Sequence, residues 1–279
     1  MLGSCGVIGY PLGHSLSPFI HQTFAAQFEE TLRYTRFEVL AFDTVVTRFF
    51  ADAGTGLNVT LPYKEAAFDL VVESDTLARQ AGAVNTLFQK NGVLHGTNTD
   101  GVGLVQDLTE NLGLPLAGRR ILILGAGGAV RGILGPLLSS GAEEIVLWNR
   151  TAARAEQLVG GYSNAAPGST PVRLFRPGRR RETGADLVIH ATSAGLNAEL
   201  PEIEPEQVAG SLCYDLMYGE PARRFREWAQ AAGAQAVYDG LGMLVCQAAL
   251  SFRIWHGLEP DIPSVLEQVR QRISNAQAD

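Results

Sequence analysis

The chain has few cysteines and no long apolar segment. Its 279 residues include 3 cysteines, Cys5, Cys213 and Cys246, which lie far apart and form no CxxC pair. This usage fits a reducing cytoplasm better than a disulfide framework. No apolar run approaches the roughly 18 residues that a membrane-spanning helix needs. The first residues lack a basic segment and a cleavable apolar segment, so we expect no export signal and no membrane binding.

Positive charge is also scarce. The chain has 22 Lys and Arg against 29 Asp and Glu, a formal net charge of -7. This balance argues against nucleic-acid binding, because neutralising phosphates requires a basic face. The one basic run, Arg176 to Arg181, contains Pro177 and Gly178 and is typical of a solvated loop. The histidines lack the spacing of metal ligands, so we expect no metal ion.

The first 60 residues alternate between strand and helix patterns. Strands are predicted at 5–10, 33–39 and 56–61, and this β-α-β-α-β order implies a parallel sheet. Ser17 followed by Pro18 predicts a helix start, with the serine as its cap. Later, Asn91-Gly92 predicts a β-hairpin.

A second unit is predicted to begin near residue 119. A buried strand at 120–124 leads through a glycine turn into a helix, and further strands are expected at 145–148, 186–190 and 211–216. This alternation indicates a doubly wound sheet. We therefore predict an α/β fold with two domains, a parallel-rich one at 1–101 and a Rossmann-type one at 102–242. Helices over 243–279 are expected to pack back on the first domain.

The glycine turn is the strongest local signal of a cofactor site. Glycines between a strand and a helix let backbone N–H groups approach a pyrophosphate, which the helix N-terminus favours. A strict GxGxxG pattern would place a small residue at 130, where this chain has Val130. An ordinary strand–helix turn therefore stays open as an alternative. The turn consists of Gly125, Ala126, Gly127, Gly128 and Ala129.

The end of the next predicted strand carries Asn149, Arg150 and Thr151, with Arg154 one helical turn later. An NAD-binding site would place an acidic residue here for the ribose hydroxyls. Two guanidinium groups and a hydroxyl suit a 2′-phosphate instead, which favours NADP over NAD. Two surface arginines at the start of a helix are the alternative interpretation.

Polar residues cluster near the ends of the predicted elements in the first hundred residues. Hydroxyls and amides with one cation and one anion suit a small polyol, and Lys64 could protonate an alkoxide that hydride reduction leaves. Each residue alone could equally be a cap, a turn residue or a surface charge. The set is Ser15, Ser17, Thr60, Lys64, Asn85 and Asp100.

Gln247 lies within an apolar helix pattern, where an unpaired amide would be costly. It could bond to the backbone of the core or contact a ligand.

Several separated motifs occur in a fixed order along the chain: GYPLGHSLSPFIH (9–21), NVTLPYK (58–64), AGAVNTL (81–87), NTDGVG (98–103), GAGGAVRG (125–132), NRTAARA (149–155), ATSAGL (191–196), YDLMY (214–218) and DGLGMLVCQAALSF (239–252). With these motifs the chain resembles the shikimate dehydrogenase family over nearly its whole length. The resemblance implies reversible reduction of 3-dehydroshikimate to shikimate by NADPH, in aromatic amino-acid biosynthesis. It also implies a catalytic pair matching Lys64 and Asp100, a substrate domain at the N-terminus and an NADP-binding domain after it.

The resemblance further implies two sets of contacts. Substrate contacts would match Ser15, Ser17, Thr60, Lys64, Asn85, Asp100, Tyr218 and Gln247. Cofactor contacts would match Gly125, Ala126, Gly127, Gly128, Ala129, Asn149, Arg150, Thr151, Arg154, Leu216 and Gly240.

The chain departs from the family pattern in three places. His190 stands where the family usually has Asn, Leu196 replaces a common Met, and Gly219-Glu220 follows Tyr218 in an unusual form. An NAD-using quinate/shikimate dehydrogenase, a non-catalytic ligand sensor and a dehydrogenase of another cyclic polyol are the alternatives. We expect a monomer or a homodimer.

Overall fold

The computed structural model describes residues 1–162, 169–176, 184–192 and 200–278. Contacts divide the chain into two compact units, Met1–Gly103 with Leu244–Asp279, and Leu104–Met243. Each unit contains a six-stranded sheet, and the predicted α/β fold class is confirmed. Residues 177–181 of the basic run and Leu196 lie outside the described residues, so the predicted solvated loop stays a prediction.

The sheet of the first unit is mostly parallel. Its order is β2-β1-β3-β5-β6-β4, and β5 alone runs opposite to the other strands. The strands are β1 Ser4–Gly9, β2 Arg33–Glu38, β3 Gly56–Val59, β4 Glu73–Ser74, β5 Thr86–Lys90 and β6 Val93–Thr97. The predicted hairpin joins β5 to β6. Asn91 and Gly92 there have φ values of 54° and 77°, as a two-residue hairpin loop with left-handed residues requires.

Among the described residues, seven helices lie wholly or partly in this unit. They are α1 Ser17–Ala26, α2 Phe42–Ala51, α3 Lys64–Leu70, α4 Thr76–Ala81, α5 Asp100–Gln106, α9 Leu241–His256 and α10 Ile262–Ala278. α5 continues as a π-helical turn over Asp107–Asn111.

The prediction that Ser17 caps α1 is wrong. Leu16 occupies the cap position with a helical backbone and gives no side-chain cap bond, while Ser17 is already the first helical residue. The backbone N–H of Ser17 instead donates to Ser15 Oγ at 3.4 Å. The helix starts earlier because Leu16 already has right-handed helical angles, so the hydroxyl that faces the first turn belongs to Ser15.

The sheet of the second unit is parallel throughout, in the order β12-β11-β10-β7-β8-β9. If β7 to β12 are renumbered 1 to 6, the order read from β9 to β12 is 3-2-1-4-5-6, which is that of dinucleotide-binding folds. Its strands are β7 Arg120–Leu124, β8 Glu144–Trp148, β9 Val172–Leu174, β10 Leu187–His190, β11 Leu212–Asp215 and β12 Ala236–Tyr238, and its helices are α6 Gly128–Ser139, α7 Ala152–Tyr162 and α8 Arg223–Ala231. β9 and β12 were not predicted from the sequence. Each has three residues, and such short segments show no clear alternation.

β7 shows why this sheet is covered on both faces. Ile121 and Ile123 belong to one apolar cluster, and Leu122 and Leu124 belong to another. Successive side chains of a strand point to opposite faces, so a continuous apolar run is what a strand buried on both sides requires. Within the described residues, no helix is both long and apolar enough to cross a membrane.

Candidate active site

Lys64 and Asp100 form an ion pair in the first unit. Lys64 Nζ donates to Asp100 Oδ2 at 2.5 Å, and the two side chains are 24% and 10% exposed. Lys64 is the first residue of α3 and Asp100 the first residue of α5. The carboxylate therefore lies at the positive end of a helix, which favours its negative charge. Both residues remain partly accessible, so the ammonium group could meet a ligand.

Asn85 connects this pair to its surroundings. Its Nδ2 donates to Asp100 Oδ1 at 2.7 Å and contacts Gln247 Oε1 at 3.3 Å. Its Oδ1 accepts the backbone N–H of Thr99 at 2.9 Å. Because Asn85 is only 2% exposed, these bonds determine which way its amide points. The arrangement directs an amide donor at the carboxylate and leaves Asp100 Oδ2 to Lys64.

Gln247 bonds to the backbone of its own helix, which is one of the two alternatives that its sequence position left open. Its Nε2 donates to the backbone carbonyl of Leu244 at 2.8 Å, while its Oε1 faces Asn85. Its backbone carbonyl accepts the hydroxyl of Thr99 at 3.1 Å. Gly103 makes this approach possible, since a Cβ there would lie 2.7 Å from the Gln247 nitrogen.

The strand directions explain why these residues meet. Thr60 follows β3, and Asp100 follows β6, so both lie beyond the carboxyl ends of strands that run the same way. Asn85 comes just before β5, whose antiparallel direction brings its beginning to the same edge. Ligands of open α/β sheets bind at this edge.

Ser15, Ser17 and Thr60 lie in the segments after β1 and β3, which are neighbours in the sheet. All three are half-buried. Gly9 lets Thr60 approach closely, because a Cβ at Gly9 would lie 2.4 Å from Thr60 Cγ2. The backbone N–H of Ser17 donates to Ser15 Oγ, as described above.

A buried polar network that sequence analysis missed supports Asn85. Tyr34 donates to Asn58 Oδ1 at 2.7 Å, and Asn58 Nδ2 donates to Ser251 Oγ at 2.9 Å. Ser251 and Thr86 share a hydrogen bond of 2.8 Å, and Thr86 donates to Asn85 Oδ1 at 2.9 Å. Burial raises the pKa of Tyr34 well above its usual value, although a hydrogen bond with Ser17 opposes this. The only signal in the sequence was that Asn58, Thr86 and Ser251 each interrupt an apolar run.

The glycine turn of the second unit is tightly packed at Gly125 and open where α6 begins. Gly125 has φ +131°, and a Cβ there would lie 2.8 Å from the carbonyl oxygen of Ala191. Open space surrounds the Cβ positions of Gly127 and Gly128 at the start of α6, so a ligand could reach their N–H groups. Val130 is fully buried in the core, which explains why no third glycine is needed there.

The residues predicted to bind a 2′-phosphate follow β8, the neighbour of β7. Asn149 Nδ2 donates to the backbone carbonyl of Thr151 at 2.8 Å, which shapes the turn into α7. Arg150, Thr151 and Arg154 are exposed at the start of this helix. The side chains are therefore accessible to an anionic ligand.

Leu216 and Gly240 meet at the same edge of the sheet. A Cβ at Gly240 would lie 2.3 Å from the carbonyl oxygen of Leu216, and Gly240 N–H donates to Met217 O at 2.9 Å. Tyr218 follows in this segment, half-buried, and burial raises its pKa. Among the described residues, no group of His, Cys, Asp and Glu is suited to a metal ion.

Three family models match successive parts of the chain. Residues 7–87 match the shikimate dehydrogenase substrate binding domain, residues 107–209 match shikimate / quinate 5-dehydrogenase, and residues 240–270 match the shikimate 5'-dehydrogenase C-terminal domain. A shikimate dehydrogenase (NADP(+)) from Alkalilimnicola ehrlichii is 48% identical over 268 residues, which cover 95% of this chain and 97% of that protein.

Solved structures agree with this similarity. An Ael1 enzyme from Pseudomonas putida is 38% identical, with a TM-score of 0.89 and coverage of 95% of this chain and 97% of that one. The complex of shikimate 5-dehydrogenase from Thermus thermophilus with NADP(H) and shikimate is 34% identical, with a TM-score of 0.81 and coverage of 97% and 99%.

The sheet order of the second unit and its glycine turn define a Rossmann-type α/β oxidoreductase. With matches over nearly its full length at up to 48% identity, the chain belongs to the shikimate dehydrogenase family.

Proposed function

We propose that this protein catalyses the reversible, NADPH-dependent reduction of 3-dehydroshikimate to shikimate, a step of aromatic amino-acid biosynthesis. The Lys64–Asp100 ion pair at the ligand-binding edge of the first sheet is the observation that carries the proposal. Relatives 44–48% identical to this chain are named NADP(+)-dependent shikimate dehydrogenases. NADP is accordingly the cofactor, and the NAD-using alternative is not favoured.

NADPH, when bound, supplies the hydride that reaches the ketone carbon of the substrate. Lys64 is the general acid: its ammonium group gives a proton to the carbonyl oxygen as that oxygen gains negative charge, and the C=O bond becomes CH–OH. The resulting neutral amine is reprotonated from solvent, and it accepts the proton when the reaction runs in reverse. A positioned acid of this kind contributes about 10²–10⁴ in rate.

Asp100 orients the ammonium group through Oδ2, and Asn85 keeps the carboxylate in place through Oδ1. The same carboxylate would accept a substrate hydroxyl. Thr60, Asn85, Tyr218 and Gln247 supply further hydroxyl and amide groups for the remaining substrate hydroxyls. Ser15 and Ser17 would hold the substrate carboxylate, which the positive end of α1 favours. Apart from Tyr218, all of these groups belong to the first unit.

The second unit binds NADP in this proposal. Gly125 to Ala129 present backbone N–H groups to the pyrophosphate, and Arg150 and Arg154 pair with the 2′-phosphate, aided by Asn149 and Thr151. Leu216 and Gly240 would face the nicotinamide. Arginine suits the phosphate because its planar group donates two parallel hydrogen bonds.

A cytoplasmic location completes the proposal. All three cysteines are buried and none of the three is in a disulfide. Burial raises the pKa of Cys5 to about 12 and that of Cys213 to about 11. Thiols that stay protonated are unreactive, as suits a reducing compartment. A monomer and a homodimer both fit this proposal, and light scattering of the purified protein distinguishes them.

The decisive experiment measures the rate of nicotinamide reduction with shikimate and with quinate, each in the presence of NADP⁺ or NAD⁺. We expect the highest kcat/KM for shikimate with NADP⁺. A clear preference for NAD⁺ or for quinate would overturn the assignment, and no reduction with any pair would favour a non-catalytic sensor.

A further inference from the structure

A buried histidine and aspartate lie side by side in the second unit, outside the residues assigned so far. His190 ends β10 and Asp215 ends β11, and the two are directly paired in the parallel register. Their side chains are 2% and 1% exposed, and His190 Nδ1 lies 3.0 Å from Asp215 Oδ1. The same carboxylate oxygen accepts the backbone N–H of Met217 at 3.0 Å. Both groups are therefore held in one orientation.

The bonds of this pair extend to a third side chain. His190 Nε2, on the far side of the ring, lies 2.7 Å from Thr192 Oγ1. Since a carboxylate only accepts hydrogen bonds, Nδ1 carries a proton, and Nε2 of the singly protonated ring would then accept the Thr192 hydroxyl proton. The ring of Phe225 stacks on the imidazole, with 4.3 Å between the ring centroids and 13° between the ring planes. This stacking restricts rotation of the imidazole. The Thr192 oxygen consequently keeps its lone pairs available.

Thr192 lies next to the glycine turn. β10 pairs with β7, and Ala191 N–H donates to the carbonyl of Leu124 at 2.8 Å. The Cβ position of Gly125 is 3.3 Å from the Thr192 backbone nitrogen. β7 and β10 are also the two strands between which the strand order reverses, and dinucleotides bind in the crevice at that point.

This arrangement costs stability. Asp215 Oδ2 is buried and has no hydrogen-bond partner among the described residues. A buried carboxylate oxygen without a partner is unfavourable. Core packing alone therefore gives no reason for a histidine and an aspartate here.

We propose that His190 and Asp215 are positioning residues that hold the Thr192 hydroxyl as a hydrogen-bond acceptor for a donor group of bound NADP, a carboxamide amine or a ribose hydroxyl. The inference rests on the proposed function in that NADP is the ligand. Asp215 keeps the proton of the imidazole on Nδ1, so Nε2 is a hydrogen-bond acceptor. The Thr192 hydroxyl donates its hydrogen to Nε2, and its oxygen can then accept a hydrogen bond from the cofactor.

Four variants of the full chain separate these steps. T192V removes the hydroxyl at nearly constant volume, and T192S retains it as the matched control. H190N keeps a donor at the position of Nδ1 but ends short of Nε2, so it retains the bond to Asp215 and loses the bond to Thr192. The fourth variant combines H190N with T192V. The dissociation constant of NADP⁺, measured by calorimetry without substrate, is the readout.

We expect T192V to weaken NADP⁺ binding about fivefold to tenfold, the loss of one hydrogen bond, and T192S to weaken it less than about twofold. H190N should weaken binding about threefold. Because His190 acts through Thr192, the double variant should bind no more weakly than T192V alone, a non-additivity that residues of one network show.

Multiplicative effects of H190N and T192V, or unchanged binding by T192V, would overturn the proposal. So would an H190N variant that lowers the melting temperature without cofactor yet binds NADP⁺ normally, since that result indicates a purely structural role. If the unaltered chain itself does not bind NADP⁺, the cofactor assignment falls as well. The two failures are thus distinguishable.

Discussion

Lys64 Nζ and Asp100 Oδ2 lie 2.5 Å apart although the two residues are separated by 36 positions in the chain. Each begins a helix that follows a strand of the same sheet, α3 after β3 and α5 after β6. The contact depends on the two strands running in the same direction. It also depends on Asn85, which comes just before the antiparallel strand between them and holds the carboxylate.

Replacing Lys64 tests its role as the proton donor. We expect K64A to lower kcat about 10²–10⁴-fold, because a positioned acid contributes that much, with a smaller change in KM. Steady-state kinetics with shikimate and NADP⁺ measure both constants. Lys90 is exposed near the hairpin, so K90A is the matched control and should leave both constants unchanged. Near-normal turnover by K64A would exclude Lys64 as the acid.

Replacing Arg150 tests the recognition of the 2′-phosphate. We expect R150A to raise KM for NADP⁺ about tenfold or more, since hydrogen bonds to charged groups contribute about 1.5–3 kcal/mol, and to leave KM for NAD⁺ nearly unchanged. The ratio of the two KM values is the measurement. R226A alters an exposed arginine on α8 and should not change the ratio. An equal loss with both cofactors would mean that Arg150 does not contact the phosphate.

Two glycines of the same turn should differ in their tolerance of a methyl group. At Gly125 a Cβ would lie 2.8 Å from the Ala191 carbonyl oxygen, and its φ of +131° is one that L residues rarely adopt. We expect G125A to lower the free energy of unfolding by about 1–3 kcal/mol. G128A, where nothing lies within 4 Å, should unfold like the parent chain. Urea denaturation without cofactor compares them, and equal stability of both variants would contradict the strained geometry.

His21 should make stability depend on pH. Burial lowers its pKa to about 3 from 6.5, so the folded state holds the ring neutral while the unfolded state binds a proton below about pH 6.5. This component of stability is complete above pH 6.5 and is lost as pH falls toward 3, by at most about 1.4 kcal/mol per pH unit.

Replacing His21 by phenylalanine should remove that component, because phenylalanine does not titrate. The new ring can still stack on Tyr34, whose ring centroid lies 4.5 Å from that of the imidazole. Unfolding midpoints between pH 4 and 7 test this expectation. H14Q alters an exposed histidine and serves as the control that keeps the parent profile. The same pH slope in H21F and the parent would show that another group is responsible.

Local signals predicted the elements well where one residue dictates the backbone. Asn91-Gly92 specified the hairpin because both residues tolerate positive φ. The apolar run at β7 predicted a strand buried on both faces. The prediction for Ser17 also came from a local signal, since a serine before proline suits a cap, but it was wrong. The backbone angles at Leu16 place the start of the helix one residue earlier.

Other features depend on residues that are distant in the chain. Ser251 meets Asn58 across 193 positions, and no spacing in the sequence relates them. His190 was seen in the sequence only as a departure from a family pattern, whereas its bonds to Asp215 and Thr192 require β10 and β11 to be neighbours.

The sequence by itself determined the α/β class, the order of the elements and the family, because these follow from periodicity, turn residues and ordered motifs. Only the tertiary structure decided which polar groups are paired. Strand order and direction bring Lys64 to Asp100 and His190 to Asp215, and burial then favours such pairs because water is excluded.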